Sequence, residues 1–194
     1  MPRTTKSTEE RRQEIINTAR ELFIENGFDK TQAADISKEM KVAQGLIYHY
    51  FQSKTDILYA VIDQFIGKEL ERTKNILEES TGTALDRLVL FFQKDRYPEH
   101  CEKLPPSFIS DPAMMDYCSK KMIVSMKPIL ISLIESGNLD GSWNCEYPAE
   151  SAAFILQGIS GLAKFEDRKK PPCKPDLQSS VFMNILLRVL GTKP

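Results

Sequence analysis

Cysteine is sparse and scattered. The chain has four in 194 residues, Cys101, Cys118, Cys145 and Cys173, and no two of them form a CxxC pair. That spacing excludes a zinc-finger arrangement and predicts reduced, partly buried thiols. Histidine is rarer still, with only His49 and His100. His100 and Cys101 are neighbours, but adjacent residues rarely make a nucleophile–base couple and no third group accompanies them. No catalytic set, metal site or cofactor is therefore expected. No 18-residue run is wholly apolar, and the start, residues 1–12, is polar. A cytoplasmic protein with no membrane segment is the expectation. An excess of one charge is also missing. Residues 1–54 hold nine Lys/Arg against eight Asp/Glu and the remainder 17 against 19, so the net charge of −1 names no partner. Period-two alternation, internal repeats and low-complexity tracts are absent as well, which leaves no candidate strand.

What is present is helical periodicity. Hydrophobic residues make up 41% of the chain, enough for a substantial core without disulfides. About nine helices are expected from the apolar spacing. The first spans residues 8–26, capped by Ser7 with Glu10 three residues on, and ends at Gly27 as a left-handed C′ residue. Its stripe is Ile15, Ile16, Ala19, Leu22 and Phe23. Thr31 is the expected N-cap of a short helix reaching Met40 and burying Ala34 and Ile36 or their neighbours. A turn at 41–43 leads to a third helix over 44–51, where Ile47 and Phe51 share the inward face. Three helices with a tight turn between the last two fit a helix-turn-helix unit. Ser53 caps a long fourth helix with Leu58, Val61, Ile62, Phe65 and Ile66. Gly82 separates it from a fifth carrying Leu85, Leu88, Val89 and Phe92. Prolines 98, 105, 106 and 112 break the pattern over 97–112. The next helix opens at Asp111–Pro112, is kinked at Pro128 and ends at Gly137. A loop with the single tryptophan, Trp143, precedes a helix opened by Pro148. A last helix carries Val181, Phe182, Ile185, Leu186 and Val189. The domain boundary falls near Ser53, giving domains 1–53 and 54–194.

The stretch from Gly27 to Leu58 carries the most information. Thr31, Asp35 and Ile36, followed by Val42, Ala43, Gly45, Ile47, Tyr48, Tyr50, Phe51, Lys54 and Leu58, resemble the DNA-binding signature of the TetR family of bacterial regulators. The resemblance covers about 50 residues and implies an all-α fold, with an N-terminal three-helix DNA-binding domain followed by a larger helical ligand-binding and dimerisation domain. The sequence departs from the family in three places. Ser37 stands where alanine is usual, Met40–Lys41 where Ala-Gly is usual, and Ala43 where serine commonly starts the recognition helix. Ala43 has no capping side chain, a loss of about 1 kcal/mol, and a different geometry is expected at the Lys41 turn.

Physical chemistry gives each residue a role. Gln44, at the start of the recognition helix, carries an amide that can pair with adenine N6 and N7. Gly45 lets bases or sugars approach the backbone. Tyr48 lies one turn after Gln44. Its hydroxyl, like the His49 imidazole and the Tyr50 hydroxyl, can serve phosphate oxygens. Thr31 can offer a hydroxyl and a helix N-terminus to phosphate. Lys54 matches the family's phosphate-binding lysine. The implied partners are a palindromic double-stranded DNA operator, a second copy of the chain and a small-molecule effector.

The resemblance places the homodimer interface on the last two helices, with Ala152, Ile155, Ile159, Leu162, Val181 and Ile185 as candidates. Ligand candidates are Phe92, Tyr97, Phe108, Met115, Tyr117, Met122 and Trp143, because Met and aromatic side chains line adaptable pockets. The same side chains also build ordinary cores. Two other functions stay open on the sequence. One is a redox-sensing regulator using the cysteines of the C-terminal domain, and the other is an architectural DNA-binding protein that senses nothing.

Overall fold

A computed structural model describes residues 7–92, 112–165 and 180–192. Eight helices occur among them: α1 (Thr8–Asn26), α2 (Ala33–Glu39), α3 (Gln44–Tyr50), α4 (Lys54–Glu79), α5 (Ala84–Phe92), α6 (Pro112–Asp140), α7 (Pro148–Phe165) and α8 (Ser180–Val189). No described residue is in a strand. The described residues form two compact units, 7–67 with 112–118, and 68–92 with 119–165 and 180–192.

The first unit follows its local signals closely. The Ser7 hydroxyl accepts from the Glu10 N–H at 3.1 Å, and the Glu10 carboxylate accepts from the Ser7 N–H at 2.7 Å, so α1 starts in a reciprocal capping box. Ile15, Ile16, Ala19 and Phe23 are buried along one face of α1, and Ile36, Ile47 and Phe51 are buried in the same unit. Gly27 ends α1 with φ 84° and ψ 154°. The positive φ is glycine's, but ψ lies outside the left-handed helical well expected for it. The cap of α2 also differs from expectation. Gln32, not Thr31, precedes the helix, and its N–H donates to the Asp35 carboxylate at 2.8 Å. Ala33 rather than Ala34 is buried there.

Helix α2 closes in a Schellman motif. The Val42 N–H donates to the Ser37 carbonyl at 2.9 Å and the Lys41 N–H to the Lys38 carbonyl at 3.1 Å. That motif needs a residue with positive φ, and Lys41 supplies it at 54°. A side chain in this well costs about 1 kcal/mol that glycine avoids. Helix α4 then starts on Ser53, whose hydroxyl accepts from the Asp56 N–H at 3.1 Å.

In the second unit, Leu88, Leu130, Ile134, Ala152, Leu186 and Leu190 lie at the centre of one apolar cluster. Leu85 and Val89, expected inside, are exposed, and Ala84 takes the inward position. Gly137 does not end α6, which runs on to Asp140 before Gly141 turns at φ 79°. Gly137 instead serves packing: a Cβ there would overlap the Trp143 indole. By length and composition Ala113–Asp140 could cross a membrane, but it carries Lys120, Lys121 and Lys127 and sinks Leu130, Leu133 and Ile134 into this core. Asp140 also accepts the Ala84 N–H at 2.6 Å, satisfying a donor at the start of α5. Hydrogen bonds from Ser142 and Ala84 hold Asp140 below the ordinary carboxylate range, and those from Thr83 do the same for Asp86. Both values are depressed on folding. Their contribution is therefore present above pH about 4 and is lost as pH falls through the folded values.

Candidate nucleic-acid interface

Helices α2 and α3 meet through the turn at 40–43, and the burial pattern of α3 divides its residues cleanly. Ile47 is fully buried and Phe51 nearly so. Gln44, Gly45, Tyr48 and His49 are exposed. The pairs Gln44/Tyr48 and Gly45/His49 are each four residues apart, so they occupy one helical face opposite Ile47. That face carries an amide, a bare backbone, a phenol and an imidazole. It holds no carboxylate that would repel phosphate. Tyr48 is 52% exposed, high for a large aromatic side chain. Tyr50 is half-buried, and its ring meets His49 edge-on at 5.2 Å. Gly45 has nothing within 4 Å of where a Cβ would sit. Its lack of a side chain therefore has no cause among the described residues.

Two of the expected phosphate ligands are placed differently. Thr31 is 1% exposed. Its hydroxyl donates to the Gly27 carbonyl at 2.9 Å and faces that of Leu22 at 3.3 Å. It therefore fastens the turn after α1 and does not point a hydroxyl outward. Lys54 is half-buried, its ammonium donates to the carbonyls of Phe28 at 2.9 Å and Asp29 at 3.4 Å, and it lies 4.3 Å from the Phe28 ring centre. Both residues fix the chain that holds α2 and α3. Sequence reasoning could not see this, because their acceptors are backbone carbonyls brought in by the fold. Thr31→Val keeps the shape and removes the donor. It is expected to lower stability by about 1–2 kcal/mol in chemical denaturation. A variant as stable as the parent but weaker on DNA would restore the phosphate role.

The candidate ligand residues are divided between the two units. Met115 and Tyr117 belong to the first unit, while Phe92, Met122 and Trp143 belong to the second. Tyr117 donates its hydroxyl to Asp63 at 2.9 Å, and its ring lies 4.4 Å from that of Tyr59. It joins the start of α6 to α4. Trp143 is a core residue, 5% exposed, with its indole N–H donated to the Ile134 carbonyl at 2.8 Å. Phe92 stacks edge-on with Phe182 at 5.6 Å, and Met122 packs partly on the same cluster. Tyr97 and Phe108 lie outside the described residues.

Of the dimer candidates, Ala152 and Ile155 are buried inside their own chain, and Ile159 packs partly on its core. Val181 and Ile185 are exposed, at 66% and 56%. Phe154, missed by the sequence reading because it shares the apolar character of its neighbours, is exposed at 66%. The side chain of Leu162 lies outside the described residues. Cys145 is buried, its thiol 3.2 Å from the Ser151 hydroxyl. Burial pushes the Cys118 thiol up, away from the thiolate that a redox sensor needs. Cys101 and Cys173 are outside the described residues.

Comparisons with known proteins agree with this geometry. Residues 15–61 match the family described as bacterial regulatory proteins, tetR family. The fatty acid metabolism regulator protein of Bacillus subtilis (strain 168) is 37% identical over 81 residues, covering 42% of this chain and 41% of that one. The chain spans about half or less of the length of several such relatives. Among solved structures, a TetR/AcrR-family regulator from Thermobifida fusca superposes with a TM-score of 0.60 at 22% identity, over 95% of this chain and 99% of that one. FadR from Bacillus subtilis, solved with stearoyl-CoA, superposes at 0.56 and 21% identity, over 91% and 98%. At these identities the superpositions speak to the fold.

Proposed function

Because this chain belongs to the tetR family of bacterial regulatory proteins, we propose that it is a cytoplasmic, ligand-responsive repressor that binds a palindromic operator as a homodimer. The observation that carries this reading is the face of α3, exposed at Gln44, Gly45, Tyr48 and His49 and anchored from behind by Ile47. In this reading residues 1–53 form the DNA-binding domain and residues 54–194 the sensing and dimerisation domain. Gln44 reads a base edge, Gly45 admits the DNA, and Tyr48, His49 and Tyr50 serve the backbone. Lys54 reaches a phosphate with the N–H its two carbonyl partners leave, and Thr31 positions the unit.

A palindrome requires two copies, with half-sites about 10 base pairs or a multiple of that apart. Exposed Phe154, Val181 and Ile185, with Gly158 and Gly161 open on α7, supply an apolar surface for the second copy. The effector is a small molecule with an apolar part, taken up in the helical domain, where Phe92 and Met122 offer adaptable contact. The Bacillus subtilis regulator solved with an acyl-CoA supports an effector of that general kind. Effector binding favours a dimer whose recognition helices no longer fit the operator, with α4 carrying the change. The Tyr117–Asp63 bond gives α4 a fixed partner at the start of α6.

Gly45→Ala tests the reading. Alanine is a better helix former by about 0.8–1.0 kcal/mol, and the space is open. The variant is expected to be as stable as the parent or more stable in urea denaturation, yet to bind DNA about tenfold or more weakly, a loss of at least about 1.4 kcal/mol. Undiminished DNA affinity would remove this face from the interface.

A further inference from the structure

Lys41 departs from what its own turn favours. It occupies the C′ position of the Schellman motif that ends α2, at φ 54°. Glycine fills this position freely, while a lysine side chain is strained there. It is the one residue other than glycine with positive φ among the described residues. Among the described residues nothing offsets the strain. Lys41 is exposed, and no described carboxylate or carbonyl receives its ammonium. An unfavourable backbone position held by a residue with no internal partner points to a partner outside.

The placement says what kind of partner. Lys41 lies three residues before Gln44, in the turn that delivers the exposed face of α3. Lys38, one turn earlier, is exposed as well. Glu39, the nearest acid in sequence, is exposed on α2 and makes no ion pair with Lys41 among the described residues, and Asp35 accepts the Gln32 N–H. A flexible cation beside a groove-reading helix suits a phosphate oxygen and carries no sequence information itself.

The geometry points to Lys41 as a phosphate ligand that clamps the α2–α3 turn onto the DNA backbone, kept at the cost of a strained Schellman cap. This inference rests on the DNA-binding reading above. It adds a positioning residue at a site where the family resemblance leads one to expect glycine.

The test compares the unaltered protein with Lys41→Gly and Lys41→Arg, on a duplex of mixed sequence, across a salt series. A phosphate ligand acts on any duplex, so no operator needs to be known. Lys41→Gly relieves the strain, and its denaturation midpoint is expected to equal or exceed that of the unaltered protein. Its plot of log affinity against log salt is expected to be shallower by about 0.9 for each phosphate no longer neutralised. The affinity gap should close as salt rises. Lys41→Arg should keep the slope of the unaltered protein. A Lys41→Gly variant with an unchanged slope overturns the inference and leaves the DNA-binding reading intact. No binding by the unaltered protein overturns the DNA-binding reading, and this inference with it. A fall in midpoint with Lys41→Gly would contradict the strain argument.

Discussion

Replacing Gln44 by alanine is expected to weaken binding to the operator by between about 30-fold and about 20,000-fold, without loss of stability. A bidentate amide–base pair contributes about 1–3 kcal/mol of discrimination, and a symmetric dimer makes the pair twice. The side chain is exposed and stands at the first position of α3, so truncation opens no cavity and leaves no buried group unpaired. Alanine also suits the helix. The loss should be confined to specific binding. Affinity for a mixed-sequence duplex, set by phosphate neutralisation, should change little. Preference should relax at one base pair in each half-site. Fluorescence anisotropy on operator duplexes substituted at each position would show this. An equal loss on all sequences would make Gln44 a backbone ligand, and no loss would take it out of the interface.

Trp143→Ala is expected to cost about 3–5 kcal/mol, a large part of the stability of a typical domain, and to lower the midpoint by about 10 °C. Three features set the size. The indole is nearly fully buried, its N–H satisfies the Ile134 carbonyl, and its edge fits the notch left by Gly137. No smaller residue can fill that space, and the carbonyl loses its side-chain partner. Trp143→Phe should cost less, because it keeps most of the apolar area and loses the hydrogen bond. Calorimetry on both variants checks the order. If Trp143→Ala melted with the parent and only effector response changed, Trp143 would be a ligand-binding residue and not a core residue.

The first unit was the more legible in the sequence because its signals are local. The Ser7–Glu10 box, the Ile47/Phe51 pair and the Ser53 cap each involve residues within four positions, and all three form as read. The errors came where a distant partner decides. Thr31 looks like a cap until the carbonyls of Leu22 and Gly27 are brought to it. Gly137 looks like a stop until Trp143 folds back on it. Leu85 and Val89 look like core because periodicity shows which residues share a face, not which way the face points. The ligand candidates were the least legible. Met and aromatic residues pack in cores and pockets alike, and Tyr117 and Trp143 turned out to have structural partners. Ala152 and Ile155 show the same ambiguity, since an apolar residue on an interface helix can equally be buried within its own chain.

The most direct test of the central claim is selection of DNA from a random duplex pool by the purified full chain, followed by titration of the enriched sequence at physiological salt. The account predicts an inverted repeat whose half-sites lie about one helical turn or a multiple apart, bound about 1,000-fold or more tightly than mixed-sequence DNA. Enrichment of no sequence, with weak binding indifferent to the duplex offered, would contradict a specific repressor and leave an architectural DNA-binding protein in its place.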